Sequence, residues 1–327
     1  MHRWTMEVLY DKGIYFPYLD LWMDATRVKD FALISHGHRD HTARHRRALA
    51  TPETARILRA QERVRNIIEL PYATPWEGDG YRLTLYPAGH CLGSAQILLE
   101  LEDTGERVLY TGDFKLRANA TTVPAPVVPC DVLIIDATYG HPRYTFPPDE
   151  EVIERLSALL QATLNDGAVP VVLAYALGKS QEALKLLLQR GFTVSVHPDI
   201  YRMALLYREA GVDFGGAFSC YTGQDLHGQV LLAPPHWRTS PEITRIPRRR
   251  SFLLSGWAID PHTRFRYRVD DALPFSDHAD FPSLVRYAEE AAPERIYTVF
   301  GFPNLSAHLR DLGFDAHHLA PQQMLPL

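Results

Sequence analysis

The chain has 327 residues, 46% of them hydrophobic and 22% charged, with a formal net charge of −5. That length accommodates two domains, or one large domain with an insertion, in the composition of an ordinary folded protein. No apolar run approaches the roughly 18 residues that span a bilayer, and the acidic balance does not announce a nucleic-acid binder. The start, MHRWTMEVLYDKGIYF, lacks a basic segment followed by an apolar stretch and does not read as a secretory signal. Cys91, Cys130 and Cys220 are far apart and form no CxxC pair, which favours a reducing, cytoplasmic setting.

In chain order, the N-terminal part alternates short apolar runs with polar turns. FALIS (31–35) reads as a buried strand and leads into SHGHRDHTARH (35–45), in which four of eleven residues are histidine. His36 and His38, at i and i+2, can grip one metal, while Asp40 and His41 would face a second metal or the other side of the same site. A helix capped at Thr51-Pro52-Glu53 is expected next, with Ile57, Val64 and Ile67-Ile68 as its apolar positions. YRLTLYP (81–87) reads as a strand followed by His90 in PAGHCLGS. QILLELE (96–102) and RVLYTGD (107–113) form a hairpin that ends at Asp113, and DVLIIDATYG (131–140) is an apolar strand. Ligands gathered past several strand ends converge on one sheet edge, and an aspartate there suits a bridging role between two metals.

Near residue 145 the texture changes. EEVIERLSALLQATLNDG (150–167) is an amphipathic helix, PVVLAYALG (170–178) a strand, KSQEALKLLLQRG (179–191) a helix and FTVSVHP (192–198) a strand, an alternation that predicts a parallel βαβ sheet. QVLLAPP (229–235) and RSFLLSGWA (250–258) add two strands, and PSLVRYAEEAAP and RIYTVFG close with a helix and a strand. Three basic runs stand out: arginines 44, 46, 47, 56, 59, 63 and 65, then RIPRRR (245–250), then TRFRYR (263–268). Charge runs are commonly solvated faces, but arginine also suits bidentate phosphate contacts.

The pattern His36-x-His38-x-Asp40-His41, then His90, then Asp113 resembles the metallo-β-lactamase superfamily. DATYG (136–140), YALGKSQEALKLL (175–187) and FSDHAD (275–280) further resemble the motifs of its β-CASP nuclease branch, in the right order and over nearly the whole chain. The resemblance implies an α/β fold, an αββα metallo-β-lactamase sandwich with an inserted βαβ (β-CASP) domain. Its parts would be 1–145 and 265–327 for the sandwich and 146–264 for the insert. It implies that His36, His38 and His90 hold one metal, that Asp40 and His41 hold a second and that Asp113 bridges. Asp24 in LWMDA, with Asp20 as a rival, would support the ligand histidines from behind. Asp136 would orient His278, which would act as general acid or hold the scissile phosphate.

The implied activity is metal-dependent hydrolysis of single-stranded RNA or DNA in the cleft between the two domains, as an exo- or endonuclease. One or two Zn2+ or Mn2+ ions would supply hydroxide at neutral pH. Asp40, Asp113, Asp136 and His278 would carry the chemistry. Lys179, Lys115 and Arg117 are candidates for backbone phosphates, and Tyr139, Trp257 and Phe265 for base stacking. One motif departs: the strand RIYTVFG places Phe300 where the branch often has a metal-binding histidine, which implies a weakened second site. The alternatives are an ester or thioester hydrolase on the same metal site and a non-catalytic nucleic-acid-binding homologue. No membrane association is implied, and protein partners are not readable.

Overall fold

The computed structural model describes residues 6–319. The chain divides into two compact units. One comprises the residues up to Ala118, Val123–Pro142 and those from His278 onward. The other comprises Asn119–Thr122 with Arg143–Asp277, so FSDHAD straddles a change of unit.

The first unit is built on two sheets. Six strands from Leu9 to Glu69 follow one another in chain order: Leu9–Tyr10, Ile14–Phe16, Leu21–Met23, Phe31–Leu33, Arg47–Ala50 and Ile67–Glu69. The last four run parallel. The second sheet has seven strands, ordered Asp315–His318, Arg295–Val299, Val132–Asp136, Arg107–Tyr110, Ala95–Leu101, Tyr81–Pro87 and Trp76–Glu77. Its first four strands run parallel to one another, and its last four are joined by antiparallel pairings.

Alternation along each strand decides what it covers. Val132 and Ile134 join a core with Leu83, Leu85, Ile97 and Leu99, to which the first sheet contributes Ile14, Phe16, Met23, Leu33 and Leu49. Leu133 and Ile135 point the other way, into a core completed by Leu284, Tyr287 and Ala288 of the helix Phe281–Ala291 and by Leu305 and Leu309 of Asn304–Asp311. Helix α1 (Pro52–Ala60) covers the outer face of the first sheet through Ala55 and Leu58 against Ile34, Ala48 and Ala50. The order helix, sheet, sheet, helix is the αββα sandwich.

The second unit carries a six-stranded sheet, all parallel, in the order Phe218–Cys220, Val194–Val196, Val230–Ala233, Val169–Leu173, Arg249–Leu254 and Asp271–Leu273. Helix α2 (Asp149–Asn165) leads into the strand Val169–Leu173, and α3 (Lys179–Gln189) and α4 (Pro198–Glu209) make the first two crossovers. One expected element is shorter than its apolar pattern. Helix α1 stops at Ala60, because the chain reverses at Glu62 (φ +56°) and the Arg63 amide returns to the Leu58 carbonyl. Ile67 and Ile68 then pair with Ala48 and Leu49 as a strand, a placement that satisfies the same apolar residues.

Candidate metal centre

The directions of the strands bring the candidate residues to one edge. Arg107–Tyr110, Val132–Asp136 and Arg295–Val299 run parallel, and Tyr81–Pro87, two antiparallel steps away, points the same way. His90, Asp113, Asp136 and Phe300 therefore lie at the C-terminal end of a strand or in the loop beyond it. On the first sheet, Asp24 follows Leu21–Met23 and His36 follows Phe31–Leu33. Gly112, just before Asp113, has φ +55°, and a Cβ there would lie 2.8 Å from the Cβ of Ser35, so only glycine lets the two loops close.

Four ligand atoms of His36, His38, His90 and Asp113 converge within 4.8 Å of one another. His38 Nδ1 stands 3.1 Å from both His36 Nε2 and His90 Nε2. Asp113 Oδ2 lies 3.5 Å from His36 Nε2 and 3.8 Å from His90 Nε2. Tetrahedral ligands held at the usual zinc–nitrogen distance are separated by about 3.3–3.4 Å. The donor set and its spacing thus fit a divalent ion. Asp113 Oδ2 also faces the opposite side of the cluster, 3.4 Å from His41 Nε2 and 3.8 Å from His278 Nε2.

For His41 and His278 the ring nitrogen that faces Asp113 is set by what holds the other one. Asp24 is buried and accepts from the Ser35 amide (2.7 Å), the Ser35 hydroxyl (2.5 Å) and the Tyr110 hydroxyl (2.8 Å). It also lies 2.9 Å from His41 Nδ1, which fixes the proton there and leaves Nε2 for a ligand role. Asp136 does the same for His278, 2.9 Å from its Nδ1. Asp136 is itself held by the Thr138 amide (2.8 Å) and hydroxyl (2.7 Å). Helix α1 braces the ligand loops. The Thr51 and Thr54 hydroxyls donate to the Gly93 carbonyl (2.6 and 2.8 Å) beyond His90, and Gln61 donates to the Gly37 carbonyl (3.1 Å) between His36 and His38.

Burial holds His36 well below the usual histidine range, and the neighbouring imidazoles add to the effect. Burial also acts to lower His41, but the Asp113 charge and the bond to Asp24 outweigh it and bring the group up to about 10. Asp113 is pushed up by burial to about 7, although His41 and His278 oppose the rise. Metal ligands bind in their unprotonated form, so a cation held here would compete with protons on His41 and Asp113.

The other candidates are not among these ligand groups. Asp40 is exposed on the short turn Arg39–His41 and is in none of the ligand groups. Asp20 is also exposed and accepts from Tyr15 (3.1 Å), far from the Asp24 role. Lys115 is buried, and Lys179 is buried in an ion pair with Asp277 (2.9 Å). Arg117 pairs with Asp280 (2.6 Å). Tyr139 is buried with its ring 5.8 Å from that of His278, Trp257 is half-buried, and Phe265 is 64% exposed. The fourth histidine of the cluster, His45, sits between the amides of Lys29 (3.1 Å) and Ala43 (3.2 Å) and shapes the loop. Phe300, at φ +62°, packs its ring 5.2 Å from that of His41. The following Gly301 has no room for a side chain, since a Cβ would fall 1.9 Å from the Ala137 carbonyl oxygen. Ser35 and Tyr110 were not foreseen as site residues; no spacing rule marks them.

With this geometry in hand, comparison with known proteins supports the reading of the first part of the chain. Residues 21–165 match the beta-lactamase superfamily domain. It is 37% identical over 98% of its length to 32% of a probable DNA ligase from Opitutus terrae. It is 26% identical over 73% of its length to 26% of the DNA cross-link repair 1A protein of Gallus gallus. Over 43% of its length it is 34% identical to 16% of the endoribonuclease YSH1 of Yarrowia lipolytica. The chain thus spans a third or less of these curated relatives. Among the described residues, no helix is long and apolar enough to cross a membrane.

Proposed function

We propose that the chain is a metal-dependent nuclease of the β-CASP branch, hydrolysing phosphodiester bonds of single-stranded DNA or RNA. The observation that carries this reading is the convergence of His36, His38, His90 and Asp113 at one edge, with His278 held beside them by Asp136. The probable DNA ligase aligns with 98% of this chain, against 73% for the DNA cross-link repair 1A protein of Gallus gallus and 43% for the endoribonuclease YSH1 of Yarrowia lipolytica. DNA is therefore the favoured substrate, in a pathway that joins strands.

A divalent ion held by the histidines would lower the pKa of water to roughly 7 and offset phosphate charge. Imidazole and carboxylate together suit Zn2+ or Mn2+. Asp113 turns one oxygen to both sides of the cluster and so fits the bridging position, with His41 on the second side. Asp24 keeps the His41 proton on Nδ1. His278 presents Nε2 at the partly open side of the cluster, where it can protonate a leaving oxygen or hydrogen-bond a phosphate oxygen; Asp136 stabilises its cationic form. Asp40, at the rim, contributes charge beside His41 rather than packing into the cluster. The sandwich segments and the parallel-sheet insert act as two domains in this reading. A cytoplasmic setting suits the three unbridged cysteines.

The test uses matched single-stranded DNA and RNA oligonucleotides, end-labelled, with wild-type protein and Asp113→Asn. Cleavage that needs added metal and is lost in the variant supports the reading, and the faster substrate identifies the sugar. Hydrolysis of esters or thioesters with neither oligonucleotide cut would overturn it.

A further inference from the structure

The function proposed above uses the inner face of the first sheet's edge and leaves the outer surface around helix α1 without a role. That surface is unusual in charge. Residues 39–65 hold eight arginines, no lysine and three carboxylates, in a chain whose net charge is −5. Arg39, Arg44, Arg46, Arg47, Arg56, Arg59 and Arg65 are exposed, and Arg63 is half-buried. Among the described residues only two of them are neutralised by ion pairs, Arg46 with Asp30 (3.0 Å) and Arg59 with Glu69 (2.6 Å). Arg39, Arg44, Arg56, Arg63 and Arg65 have no carboxylate partner among the described residues. An ordinary solvated face intersperses both signs. One that gathers arginine alone matches the bidentate geometry of phosphate.

Position ties this charge to the metal centre. Arg39 and Arg44 lie on the loop that carries His38 and His41, and Arg56 lies on α1, whose opposite face is buried against the sheet. The bonds from Thr51 and Thr54 to Gly93, and from Gln61 to Gly37, hold α1 against both ligand loops. Arg65 precedes the strand Ile67–Glu69 and so lies at the sheet end away from the ligands; Arg47 opens the parallel neighbour at that same end but on the Leu49 side, over the Phe31 ring, and lies outside this face. The arginines thus run from the ligand loop, across α1, to the far end of the same sheet.

We infer that this surface binds the flank of a single-stranded nucleic acid beyond the bond being cut, through its phosphates; the inference rests on the nuclease reading. Phosphate contacts of this kind are indifferent to sequence and sensitive to salt.

The test compares wild-type protein with the triple variant Arg44→Gln/Arg56→Gln/Arg65→Gln, none of which touches the cluster. Binding of a fluorescent single-stranded DNA to metal-free protein is followed from about 50 to 200 mM salt; at ~0.7 per phosphate contact, the slope of log K against log salt becomes shallower by about 2. Metal content and hydrolysis of bis(p-nitrophenyl) phosphate, too small to reach the flank, stay at the wild-type level. An unchanged slope overturns the inference. So does an equal loss of affinity for poly-glutamate, which would assign the surface to acidic polypeptides. Failure of the wild type to hydrolyse either the oligonucleotide or the small diester is a separate result and refutes the nuclease reading itself.

Discussion

Asp24→Asn is the substitution that most sharply separates folding from metal binding. The carboxylate takes four contacts, from the Ser35 amide and hydroxyl, Tyr110 and His41, and it is 3% exposed. An asparagine of the same shape keeps Oδ1 for the Ser35 amide. Its amide nitrogen then replaces the oxygen that serves the Ser35 hydroxyl, Tyr110 and His41. Two N–H groups cannot serve three partners, and one buried polar group left unsatisfied costs about 1–3 kcal/mol. For a domain of this size each kcal/mol lowers Tm by about 2–4 °C. The larger effect is on His41. An amide donor facing Nδ1 moves the ring proton to Nε2, the atom that points at Asp113. Loss of such a supporting group typically weakens metal binding by about 10–100-fold, or ~1.4–2.7 kcal/mol. The assay is competition with a chromogenic chelator, alongside thermal melting. A folded Asp24→Asn protein with wild-type affinity for every metal equivalent would refute the reasoning.

Further outcomes follow from the same geometry. Titration calorimetry should show one metal equivalent bound tightly and a second more weakly, because the ring of Phe300 rather than a ligand stands beside His41; Phe300→His should tighten the weaker one, and identical isotherms would contradict this. Lys179→Met should act on stability, since it breaks a buried ion pair with Asp277, a change that costs up to about 3–5 kcal/mol. Urea denaturation of this variant should show the loss and Lys179→Met/Asp277→Asn should recover part of it, whereas an effect confined to KM would return Lys179 to substrate binding. Thr51→Val removes the cap of α1, worth about 1 kcal/mol, together with the bond to Gly93. It should lower Tm and speed metal loss to a chelator, while Thr51→Ser should restore both. Burial lowers the pKa of His45, so the unfolded chain binds its proton more readily than the folded one. Stability from this residue is present above the unfolded value of about 6.5 and falls as pH drops below it; His45→Gln should flatten that part of the pH–stability curve.

The convergence of His36, His38, His90 and Asp113 follows a pattern the sequence carries, because these residues sit in short loops directly after strands, where sequence neighbours remain spatial neighbours. His36, His38 and His90 needed only the knowledge that parallel strand ends share an edge. The parallel sheet was legible from apolar runs alternating with helical spacing, whereas the sandwich followed only from the resemblance of the histidine and aspartate motifs to the metallo-β-lactamase superfamily. The supports were not legible. Ser35 and Tyr110 reach Asp24 across 11 and 86 residues through contacts that depend on the packing of two sheets. Lysines 115 and 179 looked like surface groups because lysine usually is one, and only tertiary structure reveals a buried partner such as Asp277. Helix α1 looked longer than it is because Ile67 and Ile68 satisfy a helical stripe and a short parallel strand equally well.

The central claim is that these histidines and Asp113 hold the ion that makes the chain a phosphodiesterase. The most direct measurement is a titration of metal-stripped protein with Zn2+ or Mn2+, following cleavage of a single-stranded oligonucleotide and bound metal in the same samples. The account predicts that activity rises with the metal held by the cluster, and that His38→Ala and Asp113→Asn lose both together. Cleavage that is undiminished in stripped protein, or in variants that no longer bind metal, would contradict it.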